Sequence, residues 1–467
     1  MERCVVLNLP GLTARYVGAA MPNLQALAAE GRMAPIEAVL PAVNCTMEAT
    51  FLTGAWPGEH GIVADGWYYR DTCEIKFWPT SAKLVEREPV WETARKLDPE
   101  FTCANLCWFN NMFSSADYCV APVPVFPATG GVLPGLYTEP MHLNGPIRQA
   151  LGEFPIYNFW GPTSDLKSSR WIANAAMWME REMRPSLSLV FLPHLDYAPH
   201  KVGPDVAKLD GMLREIDGLC GELMTFYETR GVRVLIVSEF SAVPVSRPVH
   251  LNRLFRERGW LSIREELGHE ALFPGSSRAF AVADMQVAHI YVNEPGLLDE
   301  VREVVEAAPG VSEVLGEAGK RAHHLDHPRS GELIALAEPD AWFTYYFWLD
   351  DAKAPDYART VDIIRKPGYD PVELFLNQES PLAALKYGWE FLRDKWGFRS
   401  AIHCTPLDAR LLKGAHGLKT DLADGPVALT RHAELLNDGP VHATEIRDLM
   451  LAHLDLAPVA SSRRTAR

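Results

Sequence analysis

LSLVFLPHLDYAPHKVGPD, residues 187–205, changes character at one point. Its first six residues are apolar or small, the pattern of a strand buried on both faces. His194, Asp196 and His200 follow directly. VVLNL (5–9), FTCANLCW (101–108) and VRVLIVSE (232–239) share the same apolar pattern. Between these runs lie amphipathic segments, MPNLQALAAEGR (21–32), SSRWIANAAMWMEREM (168–183) and AKLDGMLREIDGLCGELMTFYETRG (207–231). The last carries Leu209, Leu213, Ile216, Leu219 and Met224 at helical spacing and stops at Gly231. This alternation predicts an α/β fold with a central, mainly parallel sheet flanked by helices. Ligands of such sheets gather at the C-terminal ends of the strands. Three of those ends carry polar residues here: Asn8, then His194 with Asp196, then Ser238 with Glu239.

Residues 121–165 are rich in Pro and Gly and predict a long ordered loop or small subdomain beside a site. Further strand candidates, AFAVADMQVAHIYVN (279–293) and ELIALAEPDAWFTYYFW (332–348), predict a smaller β-containing lobe. The expected division is a core of residues 1–265 and 401–458, an α+β lobe of 266–400, and a flexible tail of 459–467. The chain has 467 residues, 48% hydrophobic and 22% charged, which excludes a disordered or collagen-like protein. A net charge of −15 argues against binding a nucleic-acid polymer. No uncharged stretch is long enough to span a bilayer and no export signal opens the chain. The eight cysteines are therefore expected as reduced thiols in a cytoplasmic protein. Cys103 and Cys107 read as small buried residues rather than half of a zinc site.

Several residues are candidates for chemistry, each with an ordinary alternative. Asp196 and His200, four apart, can meet at one cation, or form a surface turn with a capping Asp. Asn44, Cys45 and Thr46 sit where a helix N-terminus would present N–H groups to an anion, though Asn44 could simply cap that helix. Thr46 is a possible nucleophile, with a first-turn hydroxyl satisfying the backbone as the simpler role. Glu48 could be a base or a first-turn acid facing the helix dipole. Asn8 could bind substrate or only a neighbouring loop, and His250 follows the Glu239 strand closely enough to line the same crevice. His416 stands in a tight turn between Gly414 and Gly417 with Ala415. His323, His324 and His327 read as a solvated loop rather than ligands. The WYY run (67–69) could wall a substrate site, whereas WFTYYFW (342–348) reads as packed strand core.

The order of these pieces resembles the alkaline phosphatase superfamily, in particular its nucleotide pyrophosphatase/phosphodiesterase and phosphonoacetate hydrolase branch. The resemblance covers most of the chain. It rests on Gly11-Leu12, Leu52-Thr53-Gly54, Pro57, His60-Gly61-Ile62, Asp196 with His200, Gly203-Pro204, the strand ending Ser238-Glu239, and Gly414-Ala415-His416-Gly417. It implies an alkaline-phosphatase-like core and two adjacent cations clamping a phosphoryl group. Asp196, His200 and His416 match the ligands of one cation. At the other, Pro10 stands where an Asp is expected, Asn44 replaces the nucleophile, Glu239 replaces an Asp and Phe240 a His.

Proline and phenylalanine cannot ligate a cation, and an amide cannot form the usual phosphoryl-enzyme. The expected protein is thus a metal-dependent hydrolase of a small phosphate ester, phosphodiester or related anion. It would use one divalent cation, zinc, held by Asp196, His200 and His416. Glu239 would be a fourth ligand or a base, with Asn44, Thr46, Asn8 and His250 around the substrate. Two alternatives stay open: a mononuclear metal enzyme of another class, such as a lyase or isomerase, and a silent relative that only binds a ligand. The expected partner is a small anionic molecule, with a homo-oligomer allowed and no membrane.

Overall fold

The computed structural model describes residues 1–125, 133–377 and 404–456. The expected tail falls outside them, as do parts of the 121–165 insertion and of the lobe. A nine-stranded sheet runs, edge to edge, Val441–His442, Arg32–Glu37, Val427–Thr430, Val232–Val237, Arg3–Asn8, Leu187–Phe191, Cys103–Leu106, Tyr118–Pro122 and Leu136–Glu139. Its five middle strands, from Val232–Val237 to Tyr118–Pro122, are parallel. Antiparallel pairs flank them on both sides. Cys4 to Asn8 are buried throughout, so the apolar run VVLNL forms the middle of the sheet.

Helices Pro22–Glu30, Leu166–Glu182 and Val206–Glu228 form where the amphipathic segments predict them. Val206–Glu228 buries Leu209, Leu213, Ile216, Leu219 and Met224, and the Asp205 carboxylate caps its start. The 121–165 segment is more regular than its composition suggests. It contributes the edge strand Leu136–Glu139 and a helix, Asn144–Leu151.

A second sheet, antiparallel, orders as Ala279–Asp284, Val287–Val292, Leu333–Ala337 and Val311–Leu315. Its hydrophobic core also takes in Tyr68, Phe77 and the Val245–Leu261 region, while Trp160 and Phe375 pack against both cores. In WFTYYFW only Trp342 and Phe343 are strand residues, within Ala341–Phe343. Tyr345 to Trp348 are buried through their rings, with Tyr346 and Trp348 centroids 4.6 Å apart. Among the described residues no helix is long and apolar enough to cross a membrane.

The register sets the site. Asn8 pairs with Phe191 on one side and Val237 on the other, so the polar residues after three strands leave the sheet at one level. Gly11 makes the crowding there possible. It lies at φ +83°, and a Cβ on it would sit 2.7 Å from the Leu195 carbonyl oxygen. Gly11→Ala should therefore lower unfolding stability by about 1–3 kcal/mol, read by urea denaturation. An unchanged midpoint would mean that the turn does not hold the Asp196 helix in place.

Candidate functional site

Asp196 and His200 project from the helix His194–Val202, which starts directly after the strand Leu187–Phe191. Their spacing puts both on one helix face. His416 follows the short strand Gly414–Ala415, paired with Val243–Pro244. One ligand atom from each of Asp196, His200 and His416 lies within 4.8 Å of the others. His200 Nδ1 is 2.8 Å from the Gly414 carbonyl oxygen, and His416 Nδ1 is 3.2 Å from that of Ala42. A carbonyl only accepts, so each Nδ1 carries the proton and each Nε2 keeps its lone pair. Both Nε2 atoms and Asp196 Oδ1 are buried without a hydrogen-bond partner. Each such orphan costs about 1–3 kcal/mol unless something outside the chain satisfies it. Two neutral imidazoles and a carboxylate, oriented by carbonyls behind them, form a donor set that fits a divalent cation.

The surroundings keep this set rigid. Gly414 is needed because a Cβ there would lie 2.5 Å from the Pro199 carbonyl oxygen. Ala42 N–H donates to the Gly417 carbonyl, so the chain before the Asn44 helix is tied to the His416 turn. Phe240 cannot ligate, but its ring stacks on His416 at 3.7 Å and 12°. Burial pushes His200 down to about 4 and His416 well below its usual range. Burial pushes Asp196 up to about 7, while the Asn44 amide pulls the other way.

Beside the triad runs a chain of amides and carboxylates. Asn8 Nδ2 donates to Glu48 Oε1 at 2.9 Å and also to Glu239 Oε1. Asn44 Nδ2 donates to Glu239 Oε2 at 2.9 Å, and the Phe109 N–H donates to Glu48. Burial, and after it the charge of Glu48, holds Glu239 well above the carboxylate range. Both Glu239 oxygens are thus engaged by amides, and Glu239 stands outside the three-ligand group. Asn44 is the first residue of the helix Asn44–Thr53, with Val43 at the cap position, so it does not cap the helix. The Cys45 N–H does not face an incoming anion, because it donates to Asp65 Oδ1 at 2.7 Å. The Asp65 N–H in turn donates to Asp284 Oδ2 at 2.8 Å.

Other candidates lie elsewhere. His250 belongs to the second core, its Nδ1 2.7 Å from Thr344 Oγ1 and its ring over Tyr346. His194 turns to the Tyr197 hydroxyl at 2.8 Å. His324 stacks on Trp56, and His327 lies 3.3 Å from Glu86. Cys103 and Cys107 are buried thiols. Trp67 and Tyr68 of the WYY run are buried in cores rather than walling the crevice. Thr46 Oγ1 is buried and has no partner.

Sequence reasoning missed Asp65, Asp284 and an aromatic row of Phe109, Trp78, Tyr369 and Trp160, whose successive ring centroids are 5.3–5.6 Å apart. The four rings come from four distant segments, and Asp65 and Asp284 lie 219 residues apart, so no periodicity could join them.

Cation binding should follow the proton on Asp196. Burial holds both imidazoles neutral near neutral pH, so the group that must ionise is Asp196, pushed up to about 7. Zinc affinity should be level above that pH and fall up to tenfold per unit below it, as read by chelator competition. An affinity that stays constant between pH 5.5 and 8 would contradict the raised pKa of Asp196.

A family model described as type I phosphodiesterase / nucleotide pyrophosphatase matches residues 4–370. An uncharacterized pyrophosphatase/phosphodiesterase of Schizosaccharomyces pombe is 26% identical over 261 residues, 54% of this chain and 47% of that protein. The chain thus spans about half the length of that curated relative. Murine ectonucleotide pyrophosphatase/phosphodiesterase 5, solved inactive in complex with AMP, shares 14% identity and a TM-score of 0.61, covering 99% of this chain and 98% of that one. Phosphonoacetate hydrolase from Sinorhizobium meliloti 1021, in complex with phosphonoformate, shares 15% and 0.60, covering 97% and 96%. At these identities the two structures establish the fold, which is alkaline-phosphatase-like. With a family model spanning most of its length, the chain belongs to the type I phosphodiesterase / nucleotide pyrophosphatase family.

Proposed function

We propose that this protein is a metal-dependent hydrolase of a small phosphate ester, phosphodiester or related anion, working with one zinc ion held by Asp196, His200 and His416. The observation that carries this reading is the triad itself, three buried and unpartnered ligand atoms within 4.8 Å, with both imidazole tautomers fixed from behind. A divalent cation at such a site supplies Lewis acidity and brings the pKa of water toward neutral. Family membership supports phosphoester chemistry.

The single cation is supported by what fills the neighbouring space. Asn8 Nδ2 sits between the Glu48 and Glu239 carboxylates and Asn44 Nδ2 meets the remaining Glu239 oxygen. These amide donors satisfy the oxygens that a second cation would otherwise take. Without a serine or threonine at position 44, water is the nucleophile. Asn44 Oδ1, buried and unpartnered, is placed to accept a hydrogen bond from that water or from a substrate hydroxyl. Glu239 anchors Asn44 in this role. We assign Thr46 to the helix Asn44–Thr53 rather than to attack; its carbonyl receives the Thr50 hydroxyl at 2.8 Å, and its own Oγ1 is buried without a hydrogen-bond partner. Eight free cysteines, Cys73 exposed among them, fit a cytoplasmic setting.

The test is a screen of the zinc-loaded protein against para-nitrophenyl phosphate, bis(para-nitrophenyl) phosphate and a phosphonate ester. Turnover of one class should fall to background in Asp196→Asn and His416→Ala. Asn44→Leu should lose about 10²-fold in kcat with zinc retained, the size expected for a lost proton-handling or orienting group. No turnover of any of the three by fully loaded wild-type protein would reject the phosphoesterase reading.

A further inference from the structure

On the lobe side the cation ligands are faced by Tyr369. Its ring lies edge-on to His200, with centroids 6.4 Å apart at 82°, and 6.3 Å from His416. The residue is only 2% exposed. Its backbone is seated on the second sheet, for its N–H donates to the Ala283 carbonyl at 3.0 Å, one residue before Asp284. Gly368 allows this approach, because a Cβ there would stand 2.4 Å from that of Tyr345.

The same short segment carries a buried group of ions. Lys366 Nζ lies 2.7 Å from Asp370 Oδ2 and 2.6 Å from Glu373 Oε1, with all three side chains buried. Glu373 also accepts the Asp362 N–H at 2.8 Å and the Trp160 indole N–H at 2.8 Å. The Trp160 ring in turn packs 5.6 Å from Tyr369. A buried ion group of this kind is a weak source of stability compared with apolar packing, but it is directional. Here it brackets Tyr369 in sequence and ties its segment to the aromatic row.

A phosphoryl anion offers more oxygens than one cation can take, and the remainder need donors. Burial is the strongest influence on Asp196, Asp65, Glu239 and Asp284, followed by carboxylates, the Asn8 and Asn44 amides, the Cys45 thiol and backbone N–H groups, with no Arg or Lys among them.

We propose that Tyr369 is a substrate-positioning residue whose hydroxyl donates to an anion oxygen beside the cation, and that the Lys366–Asp370–Glu373 ion group holds it there. The proposal rests on the phosphoesterase reading of the site.

Cobalt-loaded protein titrated with inorganic phosphate tests it, with the visible cobalt bands as readout. Tyr369→Phe should keep the cobalt stoichiometry and the phosphate-free spectrum of the wild type, while phosphate binds about tenfold more weakly, the loss of one charge-assisted hydrogen bond. Lys366→Met should weaken phosphate similarly, and the double variant should be no weaker than either single one. Should Lys366→Met not fold, Glu373→Gln gives the same comparison with side-chain volume kept. Equal phosphate affinity in wild type and Tyr369→Phe would overturn the proposal alone. Additive losses in the double variant would overturn the positioning role of the ion group. A wild-type spectrum unmoved by phosphate would overturn the proposal together with the anion-binding reading on which it rests.

Discussion

Glu48 and Glu239 are buried side by side at the C-terminal end of the sheet, and the rest of the site is arranged around that constraint. Two carboxylates removed from water repel each other and lose their hydration, so donors must replace the water or the pair must hold a proton. Asn8 provides the amide common to both, because it ends the central strand level with Phe191 and Val237. Asn44 provides the next amide and the Phe109 N–H closes the far end. The chain of bonds leads from the sheet to the helix Asn44–Thr53 and stops beside Asp196. The triad is therefore oriented from two sides, by carbonyls behind the imidazoles and by amides beside the carboxylate.

The departures from the wider superfamily pattern form a consistent set. A proline where an acidic ligand is expected would leave a gap, yet Asn8, two residues earlier, supplies the polar group at that strand end. A phenylalanine in place of a ligating histidine becomes a wall against His416. Glu48 and Glu239 face each other directly, and the Asn8 amide donates to both. On the single-cation reading proposed above, these substitutions replace one coordination shell with hydrogen bonds and leave Asp196, His200 and His416 as the other.

Much of the fold was legible because its signals are local. Unbroken apolar runs marked the middle strands, and the 3.6-residue period marked Val206–Glu228 down to the residues it buries. Asp196, His200 and His416 were legible for different reasons, a four-residue spacing after a buried strand and a histidine between glycines. The edge strand and helix within 121–165 were hidden by proline and glycine, which set turns without forbidding short elements between them. Tyr345 to Trp348 carry strand composition but are held by ring packing instead of a ladder. Asp65, Asp284 and Tyr369 left no local trace, since what matters about them is which backbone N–H or carbonyl from another segment they meet. Asn44 was readable as a helix start, but its partner, Glu239, lies 195 residues away.

The most direct test is the metal content of purified, tag-free protein, measured by mass spectrometry under native conditions after loading with excess zinc. One zinc per chain in the wild type, absent from both Asp196→Ala and His416→Ala, is the predicted result. Two zinc ions per chain would contradict it, because the Asn8 and Asn44 amides would then have to share their space with a cation. No bound metal at all would leave the triad's three orphan atoms to some other ligand.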